Sequence, residues 1–413
     1  MNNIPFKIPS KKLILSVISS SAFITGLTLA VTWLYLYNLG RLDIFYDATN
    51  ASSAIAVIFG FAILSLLGFS ILIFSSSFMM ILIFSSYEKD LIRHNEIANG
   101  FSITVLFNSL GLYIFLSACF FSYYYFDLNG YLTFIVFLII SVLFSFCITK
   151  RNILNPKKYS PHSNNGAKEP LEKTSTKIFL PLLLLTPAIV QILPISFFLS
   201  QLEFTEGSND FAQISLLTAV ALTFSTLSIF PGTIYINEKK NGGVFHAIIM
   251  ILIFIPTILV ILSMIFRPIP NIIINMTMNL SGISDGRTHQ FYINEDVHPH
   301  AMFNGRLWNT RYFQEIPNRF FITGVSIFTL GNTQLICPTA ITHARQESLK
   351  LTIDNTKEYE EKTNHLKYIA MDCIPFNKKD IQIWDSPIPE PIYYDKIKII
   401  NNNSILNIIQ SLK

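Results

Sequence analysis

The stretch "INEDVHPHAMFNG" brings Glu295, Asp296, His298 and His300 close together, and carboxylates with imidazoles are the side chains that hold transition metals. One His-x-His without a spaced partner set is a weak ligand pattern, so we read a solvated loop and assign no metal. His343 and Glu347, spaced i, i+4 on a helix-permissive stretch, would share one helix face; the plainer reading is an exposed polar pair. The sequence contains no phosphate-cradling glycine loop, nucleophile elbow or metalloprotease motif. No catalytic residue and no cofactor is assigned, although a triad assembled from distant positions would leave no such mark.

The four cysteines divide by surroundings. Cys119 and Cys147 fall within apolar runs, where a thiol is a small packing residue. Cys337 and Cys373 fall in the polar last third, and an even pair in an oxidising compartment predicts a disulfide joining a hairpin to a later strand. The alternative is two buried free thiols.

Composition says what must position these residues. Of 413 residues 51% are hydrophobic and 14% charged, with mean hydropathy +0.45; soluble domains carry roughly a quarter charged residues. The fold class expected is an α-helical polytopic membrane protein with about seven transmembrane helices and a C-terminal extracytoplasmic α+β domain. The net charge of +4 sits in short loops, which argues against nucleic acid as a partner. Apolar runs fall at about 13–37, 51–84, 101–126, 131–149, 178–200, 212–236 and 244–266, each near the ~20 residues a bilayer core requires. The first, ending in Trp33, Tyr35 and Tyr37, reads as a retained signal anchor. The second is long enough that it must tilt or break near Ser75, Ser76 and Ser77.

Lys and Arg near the helix ends mark the cytoplasmic side. With alternating crossings, one side collects Lys7, Lys11, Lys12, Lys89, Arg93, Lys150, Arg151, Lys157, Lys158, Lys168, Lys173, Lys177, Lys239 and Lys240, whereas the opposite short loops hold only Arg41. The chain therefore divides into a first membrane unit of four helices (1–149), a basic cytoplasmic linker (150–177), a second membrane unit of three helices (178–266) and an extracytoplasmic α+β domain (267–413). The linker reads as a topology-setting connector rather than a docking site. The sequons at Asn50, Asn275, Asn279 and Asn402 all fall on the outer side.

In the last third, "RFFITGVSIFTLGNTQLIC" reads as a hairpin turning at Gly331 and Asn332, with further strands at "HQFYIN", "LKYIAMDCI", "KDIQIW" and "IYYDKIKII". Helices are expected in "AITHARQESLK", "NTKEYEEKTNH" and "SILNIIQSLK". Within the membrane no Asp, Glu, Lys or Arg falls centrally in a span, which disfavours a proton-coupled or ion-coupled transporter. Asn108 and Gln191 are the polar membrane residues, suited to bridging helices. Pro181, Pro187, Pro194, Pro231 and Pro256 kink the last three spans; packed kinks are the plainer reading, a solute path using Gln191 and Pro231 the other. The loops following the first and fifth spans echo one another, as in a parallel duplication of three helices separated by the fourth; similarity of composition is the plainer reading.

The leading functional expectation is a binding or interaction protein of a bacterial inner membrane, its N-terminus cytoplasmic and its C-terminal domain periplasmic. A sensor, an assembly factor and a toxin-immunity protein all fit. Its partners would be the lipid bilayer and a periplasmic protein, with Trp308 and Tyr312 in "RLWNTRYF" as interaction candidates; their other role would be packing the domain on the membrane surface. The alternative is a channel or solute transporter using the kinked helices. Nothing in the sequence defines an oligomeric state.

Overall fold

The structure, a computed structural model, describes residues 16, 20–49, 52–87, 95–126, 129–153, 174–205, 207, 209–312, 318–352 and 356–385. Its helices are α1 (Ser21–Leu39), α2 (Phe45–Thr49), α3 (Ser52–Ile73), α4 (Ser75–Ser86), α5 (Asn95–Phe126), α6 (Gly130–Asn152), α7 (Thr174–Val190), α8 (Ile192–Leu199), α9 (Asp210–Lys239), α10 (Gly243–Ile265), α11 (Ile269–Leu280), α12 (Gly305–Trp308), α13 (Ala340–Glu347) and α14 (Thr356–Met371). The strands are β1 (Leu202–Glu203), β2 (Thr288–Asn294), β3 (Arg311–Tyr312), β4 (Arg319–Leu330), β5 (Thr333–Cys337), β6 (Leu351–Thr352), β7 (Ile374–Asn377) and β8 (Ile381–Ile383).

Among the described residues seven helical segments are long and apolar enough to cross a membrane: Ser21–Leu39, Ile55–Ile73, Gly100–Tyr123, Gly130–Asn152, Ile178–Leu199, Asp210–Lys239 and Gly243–Ile265. They coincide with the seven runs read from the sequence. The long second run is interrupted at Phe74, between α3 and α4, and the fifth at Gln191, between α7 and α8. Between α9 and α10 the backbone leaves helical geometry at Gly243, whose φ of 80° suits a residue without Cβ. Asn129 and Asn209 cap α6 and α9, each side chain accepting a backbone N–H two residues on.

The chain forms two compact units. The first comprises residues 1–59, 278–346 and 364–413, and the second residues 60–277 and 347–363. In the first unit an antiparallel sheet has the strand order β7-β5-β4-β2-β8, with β3 also paired to β4. The β4–β5 hairpin and the strands β2 and β8 lie where the sequence placed them. One sheet face carries a core of Phe291, Ile293, Phe303, Trp308, Phe320, Ile322, Ile336, Phe376 and Ile381. Register explains it: Phe291 sits opposite Ile322 and Ile293 opposite Phe320, so period-2 alternation turns these side chains to one side.

The stretch "LKYIAMDCI" is a correction. It ends helix α14, and only Ile374 onward is strand. Leu366 and Ala370 are buried while Tyr368 and Met371 are exposed, which is helical spacing rather than alternation. The segments "IYYDKIKII" and "SILNIIQSLK" lie outside the described residues, as do Lys157, Lys158, Lys168 and Lys173 of the basic linker.

The second unit packs α4, α5, α7, α9 and α10 around Met80, Phe84, Phe101, Val105, Leu184 and Ile236, among others. Helix α6 lays Ser141, Ser145 and Thr149, buried at i, i+4, i+8, on its neighbours, as small polar residues do when helices approach closely in lipid.

Candidate functional site

In the first unit Cys337 and Cys373 form a disulfide with Cα atoms 4.1 Å apart, tying the end of β5 to the turn between α14 and β7. The end of α1 is built onto the same place. Gly40, at φ 70°, lets the helix close with Gly40 N–H bonded to Tyr37 O and Arg41 N–H bonded to Leu36 O. The reversal projects Arg41, which is only 8% exposed. Its Nη1 donates to the carbonyls of Ala370 (3.2 Å) and Cys373 (2.5 Å), and its Nε and Nη2 donate to Asp43 at 3.0 and 2.8 Å. Hydrogen bonding from Arg41 holds the Asp43 carboxyl below the usual carboxylate range, against the opposing effect of burial. One turn earlier the buried Tyr35 hydroxyl donates to Ile327 O at 2.6 Å and lies 3.1 Å from Ser284 Oγ. Arg345 donates to the same Ser284 at 2.8 Å and sits over the Tyr35 ring. Sequence reading saw Arg41 only as a lone outer charge, because its carbonyl partners are more than three hundred positions away.

A second constellation escaped sequence analysis. His289, 7% exposed, has Asp385 Oδ2 2.6 Å from Nδ1 and Asp285 Oδ2 3.0 Å from Nε2. Asp385 Oδ1 also accepts the Gln290 N–H, and Trp384 N–H donates to Gln290 O. The Arg287 guanidinium beside Asp285 holds that carboxyl well below the ordinary range; burial opposes this and His289 adds to it. A carboxylate thus meets each ring nitrogen. The group braces β8 against β2.

Of the residues singled out for metal chemistry, two meet each other. His300 bonds Glu295, and His298 meets the ring of Phe376 edge-on at 5.0 Å. Among the described residues no three His, Cys, Asp or Glu side chains gather as a metal-holding group. Glu347 pairs with Lys350 at 2.8 Å. Trp308 is 2% exposed within the core, edge-on to Phe303, so this side chain is not available at the surface. Tyr312 lies on β3 with its backbone opposite Phe320, and its side chain falls outside the described residues. Exposed apolar side chains in the same stretch of sequence are Val297, Met302 and Leu307.

In the second unit Glu203 accepts from Lys350 (2.7 Å) and Lys362 (2.5 Å), and Lys362 also meets Glu358 at 3.0 Å. Burial disfavours the Glu203 carboxylate, but the bonds from Lys350 and Lys362 outweigh it and lower its pKa. Beside this cluster β1 and β6 pair in parallel, Leu202 opposite Leu351.

The two candidate path residues are both engaged between helices. Gln191 is fully buried; its Nε2 reaches Phe224 O at 3.4 Å and its Oε1 accepts from Ser225 at 3.2 Å. At Pro231 the Ser77 hydroxyl donates to Ser228 O (2.5 Å) and accepts the Gly232 N–H (2.9 Å). Asn108 links three helices, its Nδ2 donating to Ser145 Oγ and to Leu184 O. No known protein family, curated protein or solved structure matches this chain.

Proposed function

We propose that the protein is a membrane-anchored interaction protein whose C-terminal domain meets a protein partner outside the cytoplasm, in the periplasm of a diderm bacterium. Its seven helices hold that domain at the inner membrane, and sensing, assembly and toxin immunity are the roles that suit it. The observation that carries this reading is the use made of Gln191 and Pro231. Gln191 and the backbone beside Pro231 are each engaged by a neighbouring helix, through Ser225 and Ser77, which favours the domain as the place of recognition.

The outward orientation is supported by the excess of Lys and Arg in the opposite loops and by the Cys337–Cys373 bridge, since disulfides persist in oxidising compartments. Alternating crossings put the end of α1 and the α8–α9 loop on the domain's side. Arg41 bonds to Cys373 in one unit, and Leu202 pairs with Leu351 in the other. The exposed Val297, Met302 and Leu307 are the contact residues we assign.

A second reading, a path for a small neutral solute, has its own observation. Ser102, Ser109 and Tyr113 lie along one stripe of α5, and their buried hydroxyls, like that of Ser228, have no hydrogen-bond partner among the described residues. The two readings part in a complementation test in cells lacking the gene, at matched membrane abundance. Changing Val297, Met302 and Leu307 together to Ser should abolish activity, while Gln191→Leu and Tyr113→Phe should retain it. The reverse pattern would reject the interaction reading and favour the path.

A further inference from the structure

We propose that the last turn of α14 rests in the headgroup layer of the bilayer that α1 crosses, with Tyr368 and Met371 as its lipid-contacting side chains. The depth comes from α1. Near its end Trp33 stacks on Tyr37, ring centroids 5.2 Å apart, and both are exposed, the arrangement of aromatic side chains that sit at a membrane–water interface. Three contacts then hold α14 beside this belt. Lys367 Nζ lies 4.9 Å from the Tyr37 ring centroid. A Cβ placed on Gly40 would be 3.2 Å from Lys367 Cβ, so the backbones approach closely there. The Arg41 guanidinium binds the carbonyls of Ala370 and Cys373.

Residues 367–373 therefore stand level with residues 37–41. At that level Tyr368 is 71% and Met371 75% exposed, an i, i+3 pair on one helix face. Farther from the belt the same face is polar, with exposed Asn364 and His365. The apolar end of this gradient is the end held against the transmembrane helix, which suits a helix end dipping into an interface. Exposed Asp372 follows directly and limits the depth to headgroups, because a carboxylate in the acyl region is costly. Leu42 and Tyr46, exposed just after α1, flank the same exit. The assignment requires only that α1 crosses a bilayer, and it is independent of which compartment the domain faces.

Nitroxide accessibility in nanodiscs of phosphatidylcholine and phosphatidylglycerol tests it. Full-length protein lacking Cys119 and Cys147 would carry a spin label at Tyr368→Cys, Met371→Cys or Asn364→Cys, with retention of the Cys337–Cys373 bridge confirming the fold. Lipid contact predicts that collision with oxygen exceeds collision with an aqueous nickel chelate at 368 and 371, and the reverse at 364. Equal aqueous accessibility at all three positions would overturn the proposal. Shielding of 368 and 371 from both relaxants would also overturn it, by showing that protein covers them.

Discussion

Beside Pro231 the Ser77 hydroxyl bridges two backbone groups of α9, donating to the Ser228 carbonyl and accepting from the Gly232 N–H. Proline removes one helical hydrogen bond, and in lipid the neighbouring freed groups must find partners within the protein. Ser77→Ala leaves the Gly232 N–H and the Ser228 carbonyl without this bridge, and should destabilise the helical region by about 1–3 kcal/mol in detergent–urea unfolding; unchanged stability would contradict the bridging role. The proline was legible in the sequence, but the serine that bridges the backbone beside it was not, since 155 positions separate it from Gly232. The same is true of His289, whose partner Asp385 is 96 positions away. Asp285, held below the ordinary carboxylate range by Arg287 with His289 adding, makes a signed prediction. A carboxylate whose native pKa is depressed contributes stability that is complete above the unfolded value of about 4 and is lost as pH falls toward the native value. Asp285→Asn should therefore cost about 1 kcal/mol near neutrality, with the difference from the parent shrinking below about pH 4. Denaturant midpoints measured from neutral to acid pH would check this, and a gap that widens in acid would refute it.

Among the elements, α1 and the sheet domain form one compact unit despite their separation in sequence. Arg41 is the fastener, with a fork that reaches two carbonyls and a carboxylate together. Lys cannot reproduce that geometry, so Arg41→Lys should loosen this attachment almost as much as Arg41→Ala, read as faster proteolysis within residues 364–385. Rescue of full resistance by Lys would show that charge alone suffices. The disulfide acts on the same segment. Cys337 and Cys373 are 36 positions apart, and closing a loop of that length stabilises by about 3–4 kcal/mol in the chain-entropy account. Mild reduction, or changing both residues to Ser, should lower the unfolding free energy of the first unit by that amount; no change would contradict the bracing role. Strand β2 was readable from its alternation, with one face apolar, and the β4–β5 hairpin from an apolar run broken by the Gly331–Asn332 turn, although it is buried on both faces. The end of α14 was not, because Tyr368, Ile369 and Met371 suit either period until burial shows Leu366 and Ala370 facing inward while Tyr368 and Met371 are exposed.

For the whole molecule, composition and run length announced seven spans, because the bilayer core sets a length that soluble helices rarely meet. The proline positions were equally plain, but whether their freed groups lined a path or were closed by neighbours depended on long-range packing. Trp308 illustrates the limit for recognition sites: an aromatic beside arginines suits an interface and a core alike, and here it is core. Which side of the membrane carries the sheet domain is decisive for the proposed role, and enzyme reporters fused after Lys168 and after Lys350 measure it directly. Alkaline phosphatase, which needs an oxidising compartment to form its disulfides, should be active in the Lys350 fusion and inactive in the Lys168 fusion. The opposite pattern, an active Lys168 fusion with a silent Lys350 fusion, would contradict the orientation and with it the proposed encounter between the domain and an extracytoplasmic partner.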